Sequence, residues 1–141
     1  MKRARTSFIF SLLFIFAFIA FYYTQFKWVV VSGPSMLPTL QSGNRVWVSK
    51  AYWLIGNIRH KDVVVIRGDN PGDFLIKRVY RLPGEVVDFY NIPKNWSLKN
   101  GEFRVPDDNI YVLGDNRAVS EDSRAFGPVP LNRVIGKVVV P

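Results

Sequence analysis

The sequence contains no cysteine and one histidine, His60. The missing thiols exclude a disulfide framework, a zinc–thiolate site and a cysteine nucleophile. They leave the compartment open, since an exported domain can do without disulfides. The lone histidine leaves little material for a conventional Ser-His-Asp triad, which geometry rather than sequence order would have to assemble. It lies in the charged stretch Ile58-Arg59-His60-Lys61-Asp62 and reads as a surface residue. Internal repeats, low-complexity tracts and long helical periods after residue 28 are also missing. So are a basic helical stripe and any nucleic-acid-binding motif, so no nucleic-acid partner is expected despite a net charge of +8. A basic surface lying near anionic lipid accounts for that charge, and a plain solvated surface accounts for it equally.

One long hydrophobic feature is present. Lys2, Arg3 and Arg5 precede an apolar run, Phe8–Tyr23, that holds no charge, proline or glycine. The run is short for a span of roughly 20 residues, but Trp28–Val31 continues its character past Gln25 and Lys27. Tyr22, Tyr23 and Trp28 suit the headgroup region, and Lys27 can snorkel toward it. A cleaved secretory signal would need small residues after the run. Phe21-Tyr22-Tyr23-Thr24-Gln25-Phe26 stands there instead, which favours an uncleaved anchor. The expected division is a cytoplasmic basic tail (1–5), a transmembrane anchor (6–27) and an extracytoplasmic domain (28–141), oriented by the positive-inside rule.

The remaining ~110 residues suffice for one modest core, and their pattern is β. Strands are expected at Trp28–Val31, Arg45–Ser49, Val63–Arg67, Phe74–Tyr80, Glu85–Tyr90, Ile110–Leu113 and Val134–Val139, rich in Val, Ile and aromatics. Turn signals such as Ser42-Gly43-Asn44, Pro83-Gly84 and Gly114-Asp115-Asn116 separate them. Ala51–Ile55 reads as a turn. The class is mainly β, an antiparallel sandwich or partly open barrel behind one N-terminal helix.

Three stretches carry possible chemistry. Ser32-Gly33-Pro34-Ser35-Met36-Leu37-Pro38-Thr39-Leu40 sets one serine, Ser35, on a stiffened turn. Such a turn can expose a nucleophile beside a backbone N–H, though an ordinary Pro/Gly loop has the same composition. Phe74-Leu75-Ile76-Lys77-Arg78-Val79-Tyr80 places Lys77 on an apolar strand face with Leu75 and Val79. Burial would lower its pKa from ~10.4 and let a neutral amine act as general base. An edge-strand lysine that wards off aggregation would look the same. The stretch Tyr111 to Val129 leaves a strand for a polar loop of paired opposite charges, which can lock its own shape. It spaces no ligands for a metal, and neither metal nor cofactor is expected.

Ser35-Met36-Leu37-Pro38-Thr39, Lys77-Arg78-Val79 and Gly114-Asp115-Asn116-Arg117…Ser120…Asp122-Ser123-Arg124, in this order behind one anchor, closely resemble bacterial type I signal peptidases. The resemblance covers almost the whole chain. It implies a β-rich catalytic domain that docks on the membrane, and a Ser/Lys dyad with Ser35 as nucleophile and Lys77 as general base. It implies that Ser120 holds the lysine amine, that Asp122 and Arg124 form the pair shaping the loop, and that Asp115 supports it. Met36 would touch substrate, and Val31, Leu40 and Ile76 would line pockets for small side chains. Gly33 stands where some members carry a serine that donates to the oxyanion hole, so backbone donors, mainly the Ser35 N–H, would serve. The segment Glu85 to Asp108 is short where other members carry a second β domain.

The implied function is removal of signal peptides from exported preproteins, by a monomer held single-pass in the inner (plasma) membrane and touching its lipid. Three alternatives stand beside it: a peptidase dedicated to one substrate, such as a conjugative pilin peptidase or a mitochondrial-type inner-membrane peptidase; a non-catalytic, membrane-tethered peptide-binding β module; and a self-cleaving Ser/Lys switch protein.

Overall fold

The chain begins with a helix because nothing in its first 25 residues interrupts one. A computed structural model describes residues 2–140. The side chains of residues 2–6, Ile55 and Val140 lie outside the described set, and with them the charges expected of the basic tail (1–5). Helix α1 spans Lys2–Gln25. Its Ser7–Gln25 segment has a mean hydropathy of 2.0, and no part of it is buried against protein. At 1.5 Å per residue α1 is about 36 Å long, enough to cross a hydrocarbon core of about 30 Å. A helix apolar on every side and met by protein only at its Tyr22–Gln25 end fits a single-pass membrane protein.

The helix stops two residues before the expected limit of the anchor. Phe26 and Lys27 open strand β1 (Phe26–Val30), paired antiparallel with β2 (Arg45–Ser49). Two contacts account for the switch. The Lys50 N–H donates to Gln25 O at 2.7 Å, tying the helix end to the end of β2. Tyr22, Phe26, Trp47 and Trp28 then form an aromatic ladder, with neighbouring ring centroids 4.4–6.0 Å apart. Such pairs add roughly 0.5–1.5 kcal/mol each beyond their burial.

The further strands are β3 (Val63–Arg67), β4 (Phe74–Arg81), β5 (Val86–Val87), β6 (Phe103–Arg104), β7 (Asn109–Leu113), β8 (Val129–Pro130) and β9 (Val134–Val140). The body is one open antiparallel sheet in the order β1-β2-β9-β3-β4-β7-β8, with a separate two-stranded β5-β6 ribbon. Bulges in the β2–β9, β3–β9 and β4–β7 pairs add local bend and twist. Short helices α2 (Tyr52–Ile55) and α3 (Ser123–Phe126) complete the chain.

One expected strand needs correction, and two short ones were not expected. The strand expected at Glu85–Tyr90 is only Val86–Val87, because the Asp88 carboxylate accepts from Tyr90 N and Asn91 Nδ2 and turns the chain. Strands β6 and β8 are two-residue bridges with too little pattern to read.

Both sides of β4 are covered. Ile76 packs with Val31, Met36, Leu40, Val46, Val48 and Val65. Val79 and Leu75 pack in a second cluster with Val64, Ile66 and Val112. A lysine in the middle of such a strand cannot easily reach water, and this positions the site.

Candidate active site

Lys77 is the eye of the site. Only 3% of it is exposed, and its Nζ stands 3.0 Å from Ser35 Oγ across 42 residues of sequence. Burial pushes the Lys77 pKa below its ordinary 10.5, against the opposing pull of Asp122 and then Glu121. Ser35 sits on the turn after β1. Val31 closes that turn through paired bonds, its N–H donating to Asn44 O at 2.8 Å and its O accepting from Gly43 N at 2.9 Å. Gly33 takes φ +84°, in the left-handed region that favours glycine.

The loop after β7 closes over the pair. Asn116 N donates to Ser35 O at 2.9 Å. Asp122 has no exposed surface. Its carboxylate accepts from Gly114 N at 3.0 Å and from Arg124 Nε and Nη2, each at 2.9 Å. Burial alone would raise the Asp122 pKa, but Arg124 and then the Gly114 N–H outweigh it and hold the carboxyl below its ordinary value. Arg124 also donates to Arg117 O at 2.8 Å, drawing the loop together. Asp115 behaves alike: burial raises it, while Arg78 and then Thr39 hold it low. Arg78 meets Asp115 with a fork of two bonds, 2.7 and 2.6 Å. Asp122, the carboxylate that most opposes the drop at Lys77, is thus itself occupied by an arginine, which limits how far it holds a proton there.

Ser120 Oγ is buried with no partner at hydrogen-bond geometry, although it is near enough to Asp122 to help lower that carboxyl. It packs against Gly114. A Cβ on Gly114 would fall 2.1 Å from Ser120 Oγ and 2.6 Å from Ser35 O. Gly114→Ala must therefore shift either the nucleophile's backbone or the serine behind it. Displacements of about 1 Å cost on the order of 10²-fold in rate. Cleavage is expected to fall by about that factor with the circular dichroism spectrum kept, and a fully active Gly114→Ala protein would contradict the packing.

The expected pocket residues converge in part. Val31, Met36 and Ile76 line a cleft of about 260 Å³ that runs up to Ser35 and Lys77, with Val29, Ser32 and Gly72–Leu75 around it. Leu40 lies in the same apolar cluster, 2% exposed, but not on the cleft wall. His60 is elsewhere engaged: Nε2 is 2.8 Å from Glu85 Oε1 and Nδ1 is 3.2 Å from Tyr80 O. Three residues that hold the site had no assigned role in the sequence: Arg78, Gly114 and Asn116. For Arg78 a signal existed, since an arginine one position from an inward lysine points the other way and needs an acid partner.

A serine hydroxyl against a buried, pKa-depressed amine, on an antiparallel β scaffold, has the chemistry of a serine hydrolase that works without histidine. The family model "Signal peptidase, peptidase S26" matches residues 3–94 and 89–141. Signal peptidase I of Bacillus caldolyticus is 36% identical, over 77% of this chain and 75% of that protein. Signal peptidase IB of Staphylococcus aureus strain COL is 34% identical, over 77% and 73%. The crystal structure of a signal peptidase I from Enterococcus faecalis V583 aligns with a TM-score of 0.45 at 26% identity, over 60% of this chain and 98% of that one. The chain belongs to the signal peptidase, peptidase S26, family.

Proposed function

We propose that this chain is a membrane-anchored serine endopeptidase that removes N-terminal signal peptides from exported preproteins, with Ser35 as nucleophile and Lys77 as general base. The observation that carries the reading is the 3.0 Å contact between Ser35 Oγ and an amine that is 3% exposed. Family membership and relatives named signal peptidase I support it.

The substrate enters as an extended strand. On the β7 side, β4 pairs only from Arg78 onward, so residues 74–77 keep a free edge there. β1 is an end strand of the sheet. The cleft lies between these two edges, where a peptide can add main-chain bonds. Its apolar walls at Val31, Met36 and Ile76 suit small side chains before the cut.

Ser35 Oγ attacks the scissile carbonyl as neutral Lys77 takes its proton. The oxyanion meets the Ser35 N–H. The ammonium then protonates the departing amine, which leaves with the mature protein. Water attacks the acyl-enzyme, with Lys77 again accepting a proton, and the signal peptide is released. Ser120 Oγ, buried beside Asp122 and unbonded at rest, takes the role of steadying the amine once it carries the proton. Helix α1 keeps the cleft at the bilayer surface, its N-terminus in the cytoplasm and the β domain outside. Both dyad residues come from one chain, so a monomer suffices.

The amine must be neutral to act. Its pKa lies below 10.5, so kcat/KM rises with pH and passes its half-maximum below 10.5. A profile on a fluorogenic signal-sequence peptide checks this; a half-maximum at 10.5 or above would contradict it. The assignment itself is tested by incubating detergent-solubilised protein with a preprotein and locating the cut by mass spectrometry. Cleavage is expected with wild type and none with Ser35→Ala; an active Ser35→Ala protein would overturn it.

A further inference from the structure

β4 passes the Ser35–Lys77 pair and continues. Phe74–Ile76 line the apolar cleft before it. Beyond it, Arg78, Val79, Tyr80 and Arg81 line a second cavity of about 450 Å³, walled also by His60, Lys61 and Arg117. Strand alternation places Ile76, Arg78 and Tyr80 on one face, so the floor of the cleft and the floor of this cavity follow one another on β4. The two are also joined through the loop. Asn116, which binds Ser35 O, is the neighbour of Arg117, and Asp115 holds Arg78.

The charged side chains lining this cavity are all basic. Arg78 is taken up by Asp115, and His60 by Glu85. Lys61, Arg81 and Arg117 have no carboxylate within ion-pair distance among the described residues. The guanidiniums of Arg81 and Arg117 lie 4.3 and 5.4 Å from the centre of the Tyr80 ring. Asp88, which accepts from Tyr80 Oη, stands outside the lining. At about 3.3 Å per residue, this part of β4 lies within roughly 13 Å of Lys77. The first three or four residues of an extended chain after the scissile bond cover that distance.

We propose that this cavity receives the substrate segment that follows the cut and favours acidic side chains there, with Lys61 and Arg117 as specificity-determining residues. The inference rests on the Ser35/Lys77 reading above. Arg81 is less free to select, since its Nε and Nη1 are engaged by Val86 O and Tyr80 O, whereas Arg117 gives only Nη1, to Asn91 Oδ1 at 3.3 Å.

The test uses the full chain in neutral detergent. Three peptides share one signal-sequence end and carry Asp-Asp, Gln-Gln or Lys-Lys at the second and third positions after the cut. Wild type is expected to rank them Asp, Gln, Lys in kcat/KM, with about a tenfold spread that shrinks in high salt. The Lys61→Gln/Arg117→Gln protein is expected to compress the spread to about twofold, whatever its rate on the Gln-Gln peptide. No ranking in wild type, or an undiminished one in the double variant, overturns the proposal. So does a variant that keeps the ranking and loses rate only in anionic vesicles, which would make the cavity a lipid-headgroup site. If wild type cuts none of the peptides, the proposed function fails instead, and their binding order on Ser35→Ala protein still decides what the cavity prefers.

Discussion

Lys77→Ala is expected to lose cleavage by on the order of 10²–10⁴-fold, the usual worth of a positioned general base, while keeping its fold. The fold is retained because the substitution removes a buried amine that makes one hydrogen bond, to Ser35, and leaves apolar neighbours. Lys77→Arg is expected to fail as well. A guanidinium stays protonated and cannot accept the serine proton. Preprotein cleavage read beside circular dichroism checks both. A folded Lys77→Ala protein with wild-type rate would remove lysine from the mechanism.

Asp122 gives the second large effect, and it is structural first. Asp122→Ala leaves Arg124 without its acid partner and Gly114 N without its acceptor. Breaking a buried charged pair costs about 3–5 kcal/mol, and Arg124's partial exposure favours the low end. The Asp122 carboxyl is held below its ordinary 3.8 in the fold. Its stabilising share is therefore complete above that value and is lost as pH falls through the lowered one. The gap between wild type and Asp122→Ala in urea unfolding should be full at pH 7 and close in strong acid. Asp122→Asn, which keeps the size, adds a signed result. Asp122 raises the Lys77 pKa, so the pH–rate limb of the weakened enzyme should move to lower pH. A shift to higher pH would contradict the assigned geometry.

Much of the scaffold was legible because its residues obey local rules. The alternation of Arg45–Ser49 and the unbroken β-branched run of Val63–Ile66 place those strands as the sheet does. The apolar Phe8–Tyr23 run lies wholly within α1, which ends at Gln25, where a hydrogen bond from Lys50 ties it to β2. The strand expected at Glu85–Tyr90 shortens to Val86–Val87 because Asp88 bends the chain through its own side chain.

The candidate site divides in the same way. Lys77 stood out as a cation in an apolar strand, while its partner could be named only by resemblance. Ser35 lies 42 residues away in sequence, and no periodicity links the two. Gly114 was invisible for a different reason. Its importance lies in the space that Ser120 and Ser35 O fill, which only packing reveals.

The titration of Lys77 itself tests the central claim most directly. Wild type and Lys77→Ala protein, labelled with ¹⁵N-lysine in detergent, would be followed by NMR from pH 5 to 11. One lysine resonance, absent from the variant, should titrate with a midpoint under 10.5. A Lys77 signal that titrates at 10.5 or above would mean that the amine is protonated when substrate arrives and cannot be the base.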